Sequence, residues 1–160
     1  MPLGLIYGIN PDFRSNLIGA REALVSSNPE KARHVSISLR SLLESILLNT
    51  ATNDRVIKWL QKHERNSSKR KIYFRGKKLN RLSRLRYLTL SNQHNTRSGN
   101  SENLIFEYTS LIRRLNKLVH TTKSAADFQE LNSLMHRSEH MFFFLIRASR
   151  FAGSPNPNLN

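Results

Sequence analysis

With 160 residues and 38% hydrophobic content, the chain is long enough for one ordinary domain and too short for two well-cored ones. It contains no cysteine, which excludes a disulfide framework, a thiolate nucleophile and a Cys-type zinc site and fits a cytoplasmic setting. A formal charge of +15, from 26 Lys and Arg against 11 Asp and Glu, points to a polyanionic partner, and nucleic acid comes first because phosphate neutralisation with counterion release rewards such a composition whatever the base sequence.

Along the chain, Asp12 to Ser26 reads as a short helix with Phe13, Leu17, Leu24 and Val25 available for burial. "SSNPEKARHVSISLRSLLESILLN" follows as a long helix, with Ser27 or Asn28 as cap and Pro29 at its first position. Its apolar positions Val35, Leu39, Leu42, Leu43 and Ile46 fall on one stripe of a 3.6 period. Asp54 to Lys62 makes another helix around Val56, Trp59 and Leu60.

From Lys58 to Arg86 there are twelve Lys and Arg and a single carboxylate, Glu64. This stretch includes the loop-like "NSSKR" and "FRGKK"; "KIYF" has the composition of a brief strand, but one isolated strand is not stable, so it is read as ordered loop. "LNRLSRLRYLTL" resumes a helical pattern, and the polar segment 91–103 is a loop ending in a capping site near Ser101. Two more helices follow. "LIFEYTSLIRRLNKLVH" buries Leu104, Tyr108, Leu111, Leu115 and Val119, and "KSAADFQELNSLMHRSEHMFFFLIRASR" turns Phe128, Leu131, Met135, Phe142, Leu145 and Ile146 inward. The expected fold is all-α, a compact bundle of about five helices in a single domain over 1–152, with a basic insertion at 58–90 and a flexible tail at 153–160. The N-terminus lacks a basic region ahead of a long apolar run. "MFFFLI", the most apolar stretch, is far below spanning length, so no membrane partner is expected.

Chemistry concentrates in "RRLNKLVH", 113–120. With Leu111 taken as the buried direction and about 100° per residue, Arg113, Asn116 and His120 line up on the opposite face, while Arg114 sits to the side near the core boundary. RNA cleaves itself when its 2′-hydroxyl attacks the adjacent phosphate; the reaction needs an acid or base active near neutral pH and a cation for the charge building on the phosphoryl oxygens. A histidine suits the first task and a forked guanidinium the second, so His120 with Arg113 or Arg114 is a candidate catalytic set that needs no metal or cofactor. The bland alternative is a solvated face near a helix C-terminus, where positive charge also favours the dipole.

Lys77, Lys78, Arg81, Arg84 and Arg86 are candidates to hold a nucleic-acid backbone, with Tyr73, Phe74 or Tyr87 available to stack on a base. Arg40 and Glu44, four apart on the first long helix, read as a surface ion pair, with Arg40 a further candidate to meet nucleic acid. "HRSEH", from His136 to His140, has the spacing of inverted zinc peptidases but lacks any acid, histidine or cysteine after His140 to complete the site, so no metal is expected there. The scattered carboxylates give no metal-nuclease arrangement.

"INPDFRSNLIGAREALVSSNPEKARHVSISLRSLLESIL" resembles the start of the predicted nucleases encoded beside prokaryotic PIWI proteins, and "LNRLSRLRYL" resembles that family's Arg-rich helix. The second half resembles the HEPN superfamily of small helical domains, which often dimerise and cleave RNA without metal through an Arg-x(4–6)-His motif; Arg113-x(6)-His120 and Arg114-x(5)-His120 both have that spacing. In HEPN nucleases the residue after the Arg is commonly small and polar, whereas here it is Arg114 or Leu115. The resemblance implies a homodimeric endoribonuclease in defence against phage or foreign nucleic acid, within a larger defence complex, with RNA preferred to DNA. A catalytically silent basic module that binds RNA or DNA and recruits a partner is the alternative.

Overall fold

In the computed structural model, which describes residues 11–64, 71–76, 78–91, 99–120 and 126–151, three helices start on a side-chain cap. Asn28 Oδ1 accepts the Glu30 N–H at 2.8 Å, Asn80 Oδ1 the Ser83 N–H at 3.0 Å, and Asp127 Oδ1 the Glu130 N–H at 2.7 Å. Each satisfies a backbone donor that the helix itself leaves without a partner. Six α-helices result among the described residues: α1 Pro11–Val25, α2 Lys31–Thr50, α3 Asn53–His63, α4 Arg81–Leu90, α5 Gly99–His120 and α6 Phe128–Phe151. The fold is all-α as the periodicity requires. Three starts differ from expectation: α2 begins at Lys31, two residues past Pro29, α5 begins at Gly99, so Ser101 lies inside it, and α6 begins only at Phe128 because the Asp127 carboxylate caps it there.

Within the basic insertion the described residues 71–76 and 78–80 are more ordered than a loop, and "NSSKR" lies outside the described residues. Lys71–Tyr73 forms one 3-10 turn, then β1 (Phe74–Arg75) pairs antiparallel with β2 (Lys78–Leu79), Phe74 opposite Leu79. The strand read as isolated therefore has a partner four residues on. Gly76 opens the connection at a φ of 63°, the left-handed backbone that tight hairpin turns demand at this position. Asn80 ties the hairpin to α4. Its N–H donates to Tyr73 O at 3.0 Å and its Nδ2 to Ile72 O at 2.6 Å, while its side-chain oxygen caps the helix. Asn80→Ala should therefore cost more than an ordinary cap, about 2 kcal/mol, read as a lower urea midpoint; an unchanged midpoint would show that the hairpin holds without it.

The contacts group into two compact units, Met1–Ile46 with Tyr108–Phe142, and Leu47–Glu107 with Phe143–Asn160. In the first, α1 meets α6 through Phe13 edge-on to Phe142 (6.0 Å) and Arg21 bonded to Glu139 (2.6 Å), and α6 meets α5 through Glu130 and Arg114. α5 meets α2 where Tyr108 Oη donates to Leu43 O, and α2 approaches α1 at Gly19. Four helical segments thus close into a ring of neighbours around Val35, Leu39, Leu42, Leu43 and Ile46, all at 0% exposure as the stripe predicts. Each such side chain contributes roughly 1.5–3 kcal/mol of burial.

Two residues expected inside lie outside. Val25, at the last position of α1, is 78% exposed; Phe128, at the first of α6, is 52% exposed, since the packed stretch begins at Leu131. Leu104, Val119 and Ile146 are half-buried.

A Cβ at Gly19 would sit 3.7 Å from Ser38 Oγ, an ordinary contact. Gly19→Ala should raise stability by about 0.5–1 kcal/mol through helix propensity, seen as a higher thermal midpoint; a fall would mean the helices need to approach more closely.

The second unit is organised by α3 and α4. Val56, Leu60, Leu85 and Leu88 are buried, Tyr73 packs at 4% exposure, and the indole of Trp59 meets the Tyr87 ring edge-on at 6.2 Å.

Candidate active site and basic surfaces

In the first unit, helix α5 carries the polar stripe because its inward face is held by Leu111, Leu115 and Leu118, at 0–3% exposure. Arg113 and His120 are exposed, and neither forms a hydrogen bond or ion pair with another described residue. Asn116 lies between them along the helix and about 40° to the side of His120 around it, half-buried, its Oδ1 accepting from Arg40 Nη1 of α2 at 3.2 Å. An arginine offers only donors, so the amide oxygen must face Arg40 and the NH2 group is left for the stripe. The result is a row of donors: a guanidinium, an amide and an imidazole. Arg40 Nε is buried with no partner among the described residues.

The two adjacent arginines separate clearly. Arg114 is half-buried and its guanidinium is bound by Glu130, Nε donating to Oε1 at 2.5 Å and Nη2 forming an ion pair with the same oxygen. Arg113 keeps its donors open to solvent. The rise between Arg113 and His120 along one helix is about 10.5 Å, two turns.

"HRSEH" resolves into separate roles. Glu139 is buried and bound by Arg21 Nε at 3.1 Å and Nη2 at 2.6 Å, while His136 and His140 are exposed and His136 Nδ1 lies 3.9 Å from Glu139 Oε2. The carboxylate ties α6 to α1. Among the described residues no three His, Asp or Glu side chains gather into a set that could hold a metal ion.

In the second unit the basic residues divide in the same way. Lys78 and Arg81 are exposed, and Lys77 lies outside the described residues. Arg84 is corrected from surface to interior: it is 8% exposed, with Nη1 donating to Ala51 O and Nη2 to Asn53 Oδ1 at 2.6 Å. Those acceptors mark the corner where α2 ends and α3 begins, a place where carbonyls lack helical partners and a cation is favoured. Burial pushes the Arg84 guanidinium below its usual range. Arg86 is half-buried against Tyr73, donating to its Oη at 2.8 Å with the guanidinium carbon 5.6 Å from the ring centre. Tyr73 and Tyr87, read as platforms for a base, are both 4% exposed and belong to the core; Phe74 is half-buried. Burial raises the Tyr87 phenol, and the nearby Arg55 cation draws it part of the way back.

The sequence reading missed Glu130, the Arg21–Glu139 pair and the Asn53 acceptor. The partners lie 16, 118 and 31 residues apart, so no local pattern could have signalled them.

A family model for predicted pPIWI-associating nucleases matches residues 7–145. The chain belongs to that family. The match takes in the opening segment and the Arg-rich helix on which the resemblance rested, and it runs on through α5 and most of α6. No curated protein and no solved structure was found to match. A predicted nuclease family implies a nucleic-acid substrate, and among the described residues no helix is long and apolar enough to cross a membrane.

Proposed function

We propose that this pPIWI-associating family member is a metal-independent endoribonuclease of HEPN type that works as a homodimer. The observation that carries the reading is the pair of unengaged groups, Arg113 and His120, on the solvent face of a helix whose other face buries Leu111, Leu115 and Leu118. Cleavage forms a bond from the 2′-oxygen to phosphorus and breaks the bond from phosphorus to the 5′-oxygen. One group takes the 2′ proton and another supplies a proton to the leaving oxygen, while the charge on the phosphoryl oxygens needs a cation. A single stripe has one imidazole, two turns away from its arginine. Two copies facing each other supply two imidazoles and two guanidinium groups, which meets every requirement. Arg113 is the phosphate-facing cation, since Glu130 already neutralises Arg114, and the Asn116 amide adds a donor. Lys78 and Arg81, both exposed, are the candidates to hold substrate. The link to prokaryotic PIWI proteins supports a setting in defence against foreign nucleic acid, within a larger complex.

The test is incubation of the purified protein with end-labelled single-stranded RNA in EDTA. Fragments ending in 2′,3′-cyclic phosphate are expected, with single-stranded DNA left intact for want of a 2′-hydroxyl. Tight, salt-sensitive binding with no product would instead support a silent module, the reading favoured by the charge of +15 taken alone.

A further inference from the structure

Helix α3 combines two features on adjoining strips of its surface. Arg55, Lys58 and Lys62 are all exposed, and at about 100° per residue they fall within about 60° of one another around the helix. Beside them, on the shoulder next to buried Val56 and Leu60, Trp59 and His63 stand one turn apart with their rings stacked, centroids 5.4 Å apart and planes inclined by 26°. The indole is held from the other direction by the buried Tyr87 ring, edge-on at 6.2 Å. Trp59 is thus half-buried and packed against two rings, whereas His63 at the end of the stack is exposed. Of the acidic residues nearest in sequence, Asp54 lies in the first turn of α3, about 40° around the helix beyond Lys58, and Glu64 follows the helix half-buried.

We propose that this face of α3 is a binding site for single-stranded nucleic acid, in which a base stacks on the exposed ring of His63 and the flanking phosphates meet Arg55, Lys58 and Lys62. A solvated basic helix has no need of an anchored aromatic stack ending in an exposed ring. Proteins that hold unpaired strands use this combination of cations along the backbone and a ring for the base, because every base has a flat face. A duplex hides those faces within its own stack, so the surface selects single strands. The inference rests on the nucleic-acid part of the proposed function and not on cleavage.

Trp59 is the single tryptophan of the chain, so its emission reports on this surface directly. The experiment titrates the His120→Ala protein, in which the probe survives, with an oligouridylate of about 12 nucleotides, within the range of single-strand site sizes. Saturable quenching of Trp59 is expected, and a duplex of equal length should leave the emission unchanged. His63→Ala should weaken binding by roughly 5- to 100-fold, with His63→Phe restoring it. Lys58→Gln with Lys62→Gln should flatten the dependence of log affinity on log salt by about 1.4. Binding without quenching, or binding of full strength and unchanged salt dependence in these variants, overturns the proposal, as does failure to bind the oligouridylate at all. Quenching in the variant together with no RNA cleavage by the parent protein would sink the nuclease reading alone; cleavage by the parent with indifferent α3 variants would sink this one alone.

Discussion

RNA cleavage by the His120→Ala protein is expected to fall by about 10²–10⁴-fold, the usual contribution of a positioned acid or base, while the unfolding midpoint stays where it was. The separation of the two effects follows from the structure: His120 is exposed and bonds to no other described residue, so removing the imidazole takes away chemistry and no packing. Alanine is also the better helix former. Arg113→Ala should cost about 10²–10³-fold by the same logic applied to the phosphoryl charge, and the double variant should be little worse than the poorer single, since the two groups act as a unit. Arg114→Ala is the contrast. It breaks the half-exposed pair with Glu130, worth at most about 1 kcal/mol of stability at such a site, and should leave most of the activity.

Mixing the parent with an excess of the inactive His120→Ala protein tests the two-copy arrangement. A site that needs the imidazole of both copies is incomplete in every mixed dimer, so activity should fall below that of the same amount of parent alone. Unchanged activity would mean each copy carries its own complete site, and a His120→Ala protein as active as the parent would remove the catalytic stripe altogether.

The largest stability loss from any single basic residue is expected at Arg84. Its guanidinium occupies two acceptors at the α2–α3 corner, and Ala51, which supplies one of them, is 0% exposed. Arg84→Ala leaves that carbonyl buried without a partner and opens space beside Leu85 and Leu88, for a combined cost of about 3 kcal/mol. Arg84→Lys should recover only part, because an ammonium is a point donor that does not reproduce the planar fork. Lys78→Ala, at an exposed position of the same basic segment, should stay within about 0.5 kcal/mol. Urea unfolding of the three proteins decides the matter. Equal midpoints would return Arg84 to the surface set, and any loss of nucleic-acid binding by Arg84→Ala should track its loss of folded protein.

Much of the fold was legible because helices are local objects. The stripe from Val35 to Ile46, the Asn28 cap and the inward row Leu111, Leu115 announce themselves within a few residues, and the structure bears each of them out. The hairpin was legible only in hindsight: two-residue strands carry no alternation to count, and the signal was Gly76 alone. In the candidate site, periodicity correctly separated the exposed Arg113 and His120 from the inward leucines, while Asn116 of the same stripe is half-buried against Arg40 of α2. It could not separate Arg113 from Arg114, because the choice depends on Glu130 of another helix.

The sequence by itself thus determined the all-α class, the charge that demands a polyanion, and the face on which the Arg–Asn–His stripe lies, all properties set by composition and by neighbours within a turn or two. Only the tertiary structure decided which cations are available. Arg84, Arg86, Arg21 and Arg114 look no different in sequence from Arg113 or Lys58, yet the first four are engaged by carbonyls, a ring or carboxylates brought from 13 to 118 residues away. A long cationic side chain is hydrophilic at its tip and apolar along its stem, so either fate satisfies it, and the partner that happens to be packed within reach makes the choice.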